Sequence, residues 1–444
     1  MEYWNKGMET MPKDELRLQQ FLRFKKIFTF AYENSKAHRA LYEAHGISPD
    51  DLQSIEDISR VPLTNKAFLV GSLADRDNIY GSSLAVPERD VMFYHQTSGT
   101  TSAPVPQPDS MEDWYYHGEC WANALWAHGV RPEDRALIAF NYNLFIGFWQ
   151  CHYGCEKLGA EIISAGGLST EMKVRKIIEL GVTVVATTPS YAFRMAEEAE
   201  KLGLDLKNSS VRILITSGEP GALIDGVKKR LGDAWGAEVF DNIGATEVGS
   251  WGFECEAHPG AMHINEANFY PEIIGIEDGL PITEPGKTGL LVLTNFFRKG
   301  RPCIRFNTND LACWSRDDCS CGRSFRMIEG GIQGRADHIL KVRGTFVNPA
   351  VVEDIITSHD KCSHSFQIVI HSDNKHIDVL AEAAERLPES EYDSLAQEIG
   401  TLIHNATFVS MDVKILPFAS LERSEGGKVK KIIDKRKESG IWKR

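Results

Sequence analysis

Arg135-Ala-Leu-Ile-Ala-Phe140, Glu161-Ile-Ile-Ser164, Val182-Thr-Val-Val-Ala186, Val211-Arg-Ile-Leu-Ile-Thr216 and Glu238-Val-Phe-Asp241 are short apolar runs of strand length. Between them, 147–158, 170–180, 191–202 and 222–231 carry apolar residues at helical spacing. Strand-length runs alternating with helix-length stretches predict crossover units that share one largely parallel sheet, so the fold class is α/β.

Working upstream, apolar residues recur at helical spacing over 15–44 (Leu16, Phe21, Phe24, Ile27, Phe28, Ala31), which predicts an opening amphipathic helix, and Pro49-Asp50-Asp51 starts a second short one. Downstream, from about 255 to 321, the texture changes to short strands and Gly- or Pro-containing turns, as in Gly289-Leu-Leu-Val-Leu-Thr-Asn295, and predicts an antiparallel subdomain. A Gly-rich stretch through Gly334 and Asp337 then precedes a segment patterned strand, helix, strand, strand, helix, followed by a strand at Val413. The expected division is a large unit over 1–336 and a small mobile α+β unit over 337–444, with its linker near Asp337.

The 444 residues carry a net charge of −13, and 42% are hydrophobic, which is enough apolar material for a core and excludes disorder as the dominant state. The acidic balance argues against nucleic acid or a membrane surface as partner, so a phosphate ligand has to be held by local groups. The N-terminus lacks the pattern of a secretory signal, and no run reaches the length of a spanning helix. Nine cysteines, an odd number in a long chain, fit a reducing, cytoplasmic setting.

Several segments carry candidate chemistry. Gln96-Thr97-Ser98-Gly99-Thr100-Thr101-Ser102-Ala103-Pro104 is either a loop whose N–H and O–H groups wrap a polyphosphate or a solvated Ser/Thr turn; Walker spacing is absent. Asp310, after Cys303-Ile-Arg-Phe306, reads as a carboxylate at a strand end or a turn cap. Tyr142, Phe145, Phe148, Trp149 and Tyr153 follow the run ending at Phe140, where open α/β sheets place ligands; a helical core stripe is the alternative for Phe148 and Trp149. Ser217-Gly218-Glu219 stands past another strand end, and Lys428 sits in Glu-Gly-Gly-Lys at the head of a basic run. Cys319-Ser-Cys321, with Cys255 and an imidazole from Cys255-Glu-Ala-His-Pro-Gly-Ala-Met-His263, would complete a closed tetrahedral zinc site. Pro259-Gly260 turns the chain so that His263 comes roughly opposite Cys255, while His258 has C-x-x-H spacing; unmetallated cysteines or a Cys313 ligand are further alternatives.

The Ser/Thr loop resembles the phosphate-binding loop of the adenylate-forming superfamily, which comprises acyl-CoA synthetases, luciferases and adenylation domains. Asn242-Ile-Gly-Ala-Thr-Glu-Val248, Arg305-Phe-Asn-Thr-Asn-Asp310, Gly334-Arg-Ala-Asp-His-Ile-Leu-Lys-Val-Arg-Gly344 and Glu422-Arg-Ser-Glu-Gly-Gly-Lys428 are similar to its later motifs, in order. Leu144-Phe-Ile-Gly-Phe-Trp-Gln-Cys-His-Tyr-Gly154, Gly159-Ala-Glu-Ile-Ile163, Thr188-Pro-Ser-Tyr191 and Ser217-Gly-Glu-Pro220 resemble the phenylacetate-CoA ligase branch. The resemblance implies ATP and magnesium, with Thr97, Ser98, Gly99, Thr100, Thr101, Asn242, Gly244, Ala245, Ser217, Gly218, Glu219, Asp310 and Arg335 around the nucleotide. It implies catalytic roles for Thr246 and Glu247 at phosphate and magnesium and for Lys428, delivered as the small unit rotates about Asp337.

The resemblance further implies an organic, aromatic carboxylic acid in a pocket of Tyr142, Phe145, Phe148 and Tyr153, converted to an acyl-adenylate and passed to coenzyme A. A carrier-protein thiol or an amine is the alternative acceptor, and a non-catalytic nucleotide-binding homologue the alternative to an enzyme; the branch is also consistent with a homodimer. Zinc-containing relatives favour His263 over His258 beside Cys255, Cys319 and Cys321. Two departures stand out: the superfamily usually has glycine at Ser102 and lysine at Val105, although the phenylacetate ligases also dispense with that lysine, and Asn307 and Asn309 replace the more usual Arg and Gly or Arg.

Overall fold

The computed structural model describes residues 2–75, 77–97, 104–140, 142–219, 221–336, 340–342, 345–347, 349–372, 376–407, 409–423 and 431–435, without the side chains of 340–342, 345–347 and 350. The chain opens on α1 (Lys6–Glu9), α2 (Lys13–Asn34) and α3 (Lys36–Ala44). The single helix expected over 15–44 is therefore two. Ser35 takes extended backbone and its hydroxyl caps the His38 amide, which ends one helix and starts the next. Two 3-10 turns (Pro49–Asp51 and Ile55–Arg60) and α4 (Lys66–Ser72) follow.

β1 (Phe93–Gln96) and β2 (Pro106–Asp109) form a hairpin leading into α5 (Met111–Ala127), which starts in a capping box between Ser110 and Asp113. The alternation is then β3 (Arg135–Ile138), α6 (Gly147–Leu158), β4 (Glu161–Ser164), α7 (Thr170–Glu179), β5 (Val184–Thr187), α8 (Pro189–Lys201), β6 (Ile213–Ser217), α9 (Asp225–Trp235) and β7 (Glu238–Ala245). These strands are parallel, in the order β4-β3-β5-β6-β7. Leu137, Val185 and Leu214 face Tyr191 and Trp235 on one side of the sheet. Their neighbours Ile138, Ala186 and Ile215 face Trp121 and Phe148 on the other. Period-two alternation in strands apolar on both faces thus places helices on both sides and buries the sheet.

β8 (Gly249–Phe253) and β9 (Ala261–Ile264) continue this sheet antiparallel, whereas β10 (Phe269–Ile274), β11 (Gly289–Asn295) and β12 (Phe306–Ala312) start a second, antiparallel one. β13 (Met327–Glu329) returns to the edge of the first and β14 (Gly334–Arg335) to the edge of the second. Antiparallel pairing therefore begins one strand before the expected point, because the chain reverses directly after β7. Beyond it lie β15 (Leu340–Val342), β16 (Thr345–Val347), α10 (Pro349–Ser358), β17 (Cys362–Ile370), β18 (Ile377–Ala383), α11 (Tyr392–Thr407), β19 (Asp412–Leu416) and β20 (Ile432–Asp434). This C-terminal unit has its own core, including Ile356, Phe366, Val379 and Ile399. Among the described residues, no helix is long and apolar enough to cross a membrane.

Candidate active site and metal cluster

The β1–β2 hairpin carries the Ser/Thr loop. At its base the Thr97 amide donates to the Val105 carbonyl at 3.1 Å, and the Thr97 hydroxyl accepts from the Val105 amide at 3.0 Å. Thr97 therefore closes the loop, while Ser98, Gly99, Thr100 and Thr101 lie outside the described residues. Val105 is fully buried against Leu69, Val248 and Trp251. A lysine there would carry an ammonium into the core, so this departure follows from packing.

At the carboxyl edge of the parallel sheet, Ser217 stands directly opposite Asn242. Ser217 is buried, Gly218 has φ +90°, and the Glu219 carboxylate turns to the first turn of α8, accepting from the Ser190 hydroxyl (2.5 Å) and amide (3.3 Å). Negative charge is favoured there by the helix dipole. Asn242 is buried and donates to the Ser250 hydroxyl at 3.1 Å; Gly244 and Ala245 end β7, and the partly buried Thr246 and Glu247 lie in the turn into β8.

That turn is held from beneath by groups that the sequence reading did not single out. The fully buried Arg298 guanidinium donates to the carbonyls of Thr246 (2.7 Å) and Glu247 (3.0 Å) and pairs with both oxygens of Asp109 at 2.8 and 2.9 Å. His117 Nε2 lies 3.3 Å from Asp109, and Asn295 donates to the Val248 carbonyl at 2.7 Å. Burial alone would raise the Asp109 pKa, but the Arg298 and His117 charges outweigh it and hold it at about 2. Gly249, at φ +110°, has His117 ring atoms 3.1 Å from where a Cβ would sit, so the turn closes only on glycine. Arg301, also buried, donates to the carbonyls of Pro106 and Tyr80 and ties the same segment to the hairpin. Arg298 and Arg301 in a stretch that is otherwise interior was the signal available.

Asp310 is not at a strand end. β12 begins only at Phe306, because Arg305 adopts φ +42°, fixed by a bidentate pair with Glu272 (2.9 Å each) and by the Ser59 and Val61 carbonyls. A register shift against Leu290 and Val292 bulges 308–310, and such irregularities re-aim side chains beside sites. Asp310 faces Arg335 across β14, with Nη1 to Oδ1 at 3.2 Å, and Arg335 also donates to the Thr308 carbonyl at 3.3 Å. Asn309 sits at φ +65°, a conformation that asparagine tolerates better than other side chains, so its place in a glycine position is accommodated.

The aromatic stretch divides. Phe148 stacks on Phe140 with centroids 4.0 Å apart inside the sheet core, which is the core-stripe alternative. Tyr142, Phe145 and Tyr153 are half-buried: the Tyr142 hydroxyl meets His152 at 3.2 Å, and Tyr153 packs edge-on to Trp114. The Leu144 carbonyl accepts from the Gln96 amide at 2.9 Å and binds this loop to the hairpin.

Asp337 and Lys428 lie outside the described residues. Arg423 and Lys431, which flank 424–430, are both described: Arg423 pairs with Glu382 at 2.8 Å and reaches Glu197 of α8 at 3.4 Å, and Lys431 pairs with Glu353 at 2.5 Å. The carboxylates of Glu353 and Glu219 both raise the Lys431 pKa against the opposing effect of burial. The C-terminal unit thus meets the large one on the side where Glu219 stands.

Elsewhere, Cys255, His263, Cys319 and Cys321 converge, their ligand atoms all within 4.8 Å of one another and all buried. Cys255 Sγ lies 3.4 Å from Cys319 Sγ and 3.5 Å from His263 Nε2, and Cys321 Sγ is 3.4 Å from that nitrogen. His263 Nδ1 faces the Phe325 carbonyl at 3.1 Å, which leaves Nε2 to the sulfurs. The amides of Cys321 and Arg323 each point at a sulfur at 3.4 Å. Burial opposes charge on His263, yet its hydrogen bonds to Cys319 and Cys321 and their charges hold its pKa up at about 9. His263 pairs with Phe253 and not with Cys255, two residues further on, and His258 and Cys313 are not in the cluster. Tyr3 donates to the Cys321 carbonyl at 2.8 Å and Glu9 pairs with Arg323 at 2.6 Å, which fastens the N-terminus to this loop.

The AMP-binding enzyme C-terminal domain family matches residues 344–436. The phenylacetate-coenzyme A ligase of Thermus thermophilus is 30% identical over 97% of this chain and 99% of its own length. Among solved structures, 2-hydroxyisobutyryl-CoA ligase in its postadenylation state with 2-HIB-AMP has a TM-score of 0.93 at 27% identity, covering 98% of this chain and 93% of that one. The same ligase with 2-HIB-AMP and CoA in the thioesterification state has a TM-score of 0.74 at 27% identity, covering 99% and 94%. With near-complete coverage in both directions, the chain belongs to the phenylacetate-coenzyme A ligase family of AMP-forming acid–thiol ligases.

Proposed function

We propose that the chain activates an aromatic carboxylic acid with magnesium-ATP and transfers it to coenzyme A. The reading is supported by Ser217 standing opposite Asn242, which brings the Ser217–Glu219 turn and the Asn242–Glu247 segment side by side at the carboxyl edge of the sheet, where open α/β folds take ligands. In the first step a carboxylate oxygen attacks the α-phosphorus and pyrophosphate leaves. In the second a coenzyme A sulfur attacks the acyl carbon, its proton is released, and AMP leaves. The hydroxyl-rich loop from Thr97 and the Thr246–Glu247 turn hold the phosphates, Asp310 accepts from the ribose hydroxyls, and Lys428 stabilises charge at the transferring phosphoryl. Glu247 offers an oxygen to magnesium, which supplies charge neutralisation on the departing pyrophosphate. Tyr142, Phe145 and Tyr153 line the body of the acid, and residues 1–336 and 337–444 act as binding domain and lid.

The cluster of three thiols and one imidazole fits zinc, because soft sulfur with a single nitrogen is a structural zinc donor set, and four protein ligands leave no open position. Its role is a staple between the N-terminus, β9 and the Cys319–Cys321 loop. Purified protein with magnesium-ATP, a panel of aryl acids, and coenzyme A present or absent tests the activity. Acid-dependent AMP and thioester are expected; adenylate without thioester would favour a carrier-protein or amine acceptor, and no AMP from any acid would overturn the reading. Zinc near one equivalent by mass spectrometry should fall in Cys319→Ser/Cys321→Ser; unchanged stoichiometry would exclude these ligands.

A further inference from the structure

The face joining the two units is closely fitted. On α9, Gly226 lies so close to the end of α10 that a Cβ would fall 2.8 Å from the Ser358 amide nitrogen and 2.9 Å from the Thr357 carbonyl carbon, both backbone atoms. On α8, Phe193 stacks on His364 of β17 with centroids 4.0 Å apart and planes 11° from parallel. Glu197, one turn along, reaches Arg423 Nε at 3.4 Å and His364 Nε2 at 3.9 Å. Arg423 is fixed to its own unit through both oxygens of the buried Glu382 (2.9 and 2.8 Å) and the Ser365 hydroxyl (2.7 Å), so its Nε edge is presented to α8 ready-made.

We propose that Gly226, Glu197 and Arg423 form a positioning latch, which holds the C-terminal unit where Lys428 serves adenylate formation and which has to open before thioester formation. The inference rests on the proposed two-step reaction. Its further support is that the chain resembles 2-hydroxyisobutyryl-CoA ligase at TM-score 0.93 in the postadenylation state but only 0.74 in the thioesterification state, at the same 27% identity. The close approach of α10 leaves no room for a side chain at Gly226 in this placement. An ion pair that keeps some exposure and is made by one nitrogen can part at lower cost than the more deeply buried, bidentate Arg305–Glu272 pair.

Two variants and two readouts test the latch. Gly226→Ala adds a wedge at the interface while favouring helix in α9 itself, and Glu197→Gln removes the charge that Arg423 meets. In each, acid-dependent pyrophosphate release without coenzyme A should slow about tenfold, while thioester formation from supplied acyl-adenylate should hold or rise. Equal slowing of both steps, or of neither, would overturn the proposal. Spin labels on Glu171→Cys and Asp393→Cys report docking without catalysis, because both positions are exposed and the nine native cysteines are buried. The docked distance should lose population in Gly226→Ala, and an unchanged distribution would overturn the latch even in a chain that made no adenylate, an outcome that would instead fail the proposed reaction.

Discussion

Two polar assemblies flank the proposed nucleotide site, and they are built differently. Beneath the Thr246–Glu247 turn, Arg298, Asp109 and His117 are fully buried, and Arg298 makes four short bonds at once. Between the units, Arg423 and Glu197 keep 14% and 17% side-chain exposure and meet through one nitrogen. Buried, over-determined bonding suits a turn that has to keep its geometry through every cycle, whereas the sparse contact suits a face that has to let go.

The largest effect is expected on the buried side. Arg298→Met leaves the buried Asp109 charge without its guanidinium partner and should cost about 3–5 kcal/mol in urea unfolding; a loss within the range of an ordinary surface change would mean that the network is not what fixes the turn. On the mobile side, Lys428→Ala should lower adenylate formation by about a hundredfold to a thousandfold with little change in ATP affinity. Equal rates in mutant and wild type would remove Lys428 from the chemistry. Phe148→Ala, inside the sheet core, should cost about 3 kcal/mol of stability while leaving the acid KM of the remaining folded enzyme near its original value. A selective rise in KM would return Phe148 to the acid pocket.

The smallest expected effect is pH-dependent docking. His364 packs between Phe193 and Glu197 of α8 and faces Arg423, Lys431 and Arg230; burial and then those cations push its pKa well below the ordinary 6.5. An imidazole with a depressed pKa favours the docked state while neutral, so docking holds above about pH 6.5 and weakens as pH falls through and below it. The spin-label distance measured from pH 7.5 to about 5.5 checks the sign; docking that strengthens on acidification would refute it.

The same comparison explains what the sequence revealed. The parallel sheet was legible because strands covered on both faces leave uninterrupted apolar runs, and the cysteine cluster was legible because two ligands share one short loop and the other two flank a Pro-Gly turn. The break at Ser35 was not, since the same apolar spacing continues on both sides of a single capping hydroxyl. Asp310 was placed at a strand end because a bulge and the left-handed Arg305 leave no periodic signature. Arg298 and Asp109 are 189 residues apart, and nothing in either segment names the other. Local chemistry can be read from spacing, whereas long-range buried pairing emerges only from the fold.

The claim on which the rest depends is that the acid is joined to phosphorus before it meets a thiol. An acid that the chain converts, carrying heavy oxygen in its carboxylate and turned over with magnesium-ATP and coenzyme A, tests it directly by mass spectrometry of the AMP. The attacking oxygen stays on phosphorus when the thiol takes the acyl group, so each AMP formed should carry one labelled oxygen. AMP free of label in the presence of thioester product would contradict an acyl-adenylate route.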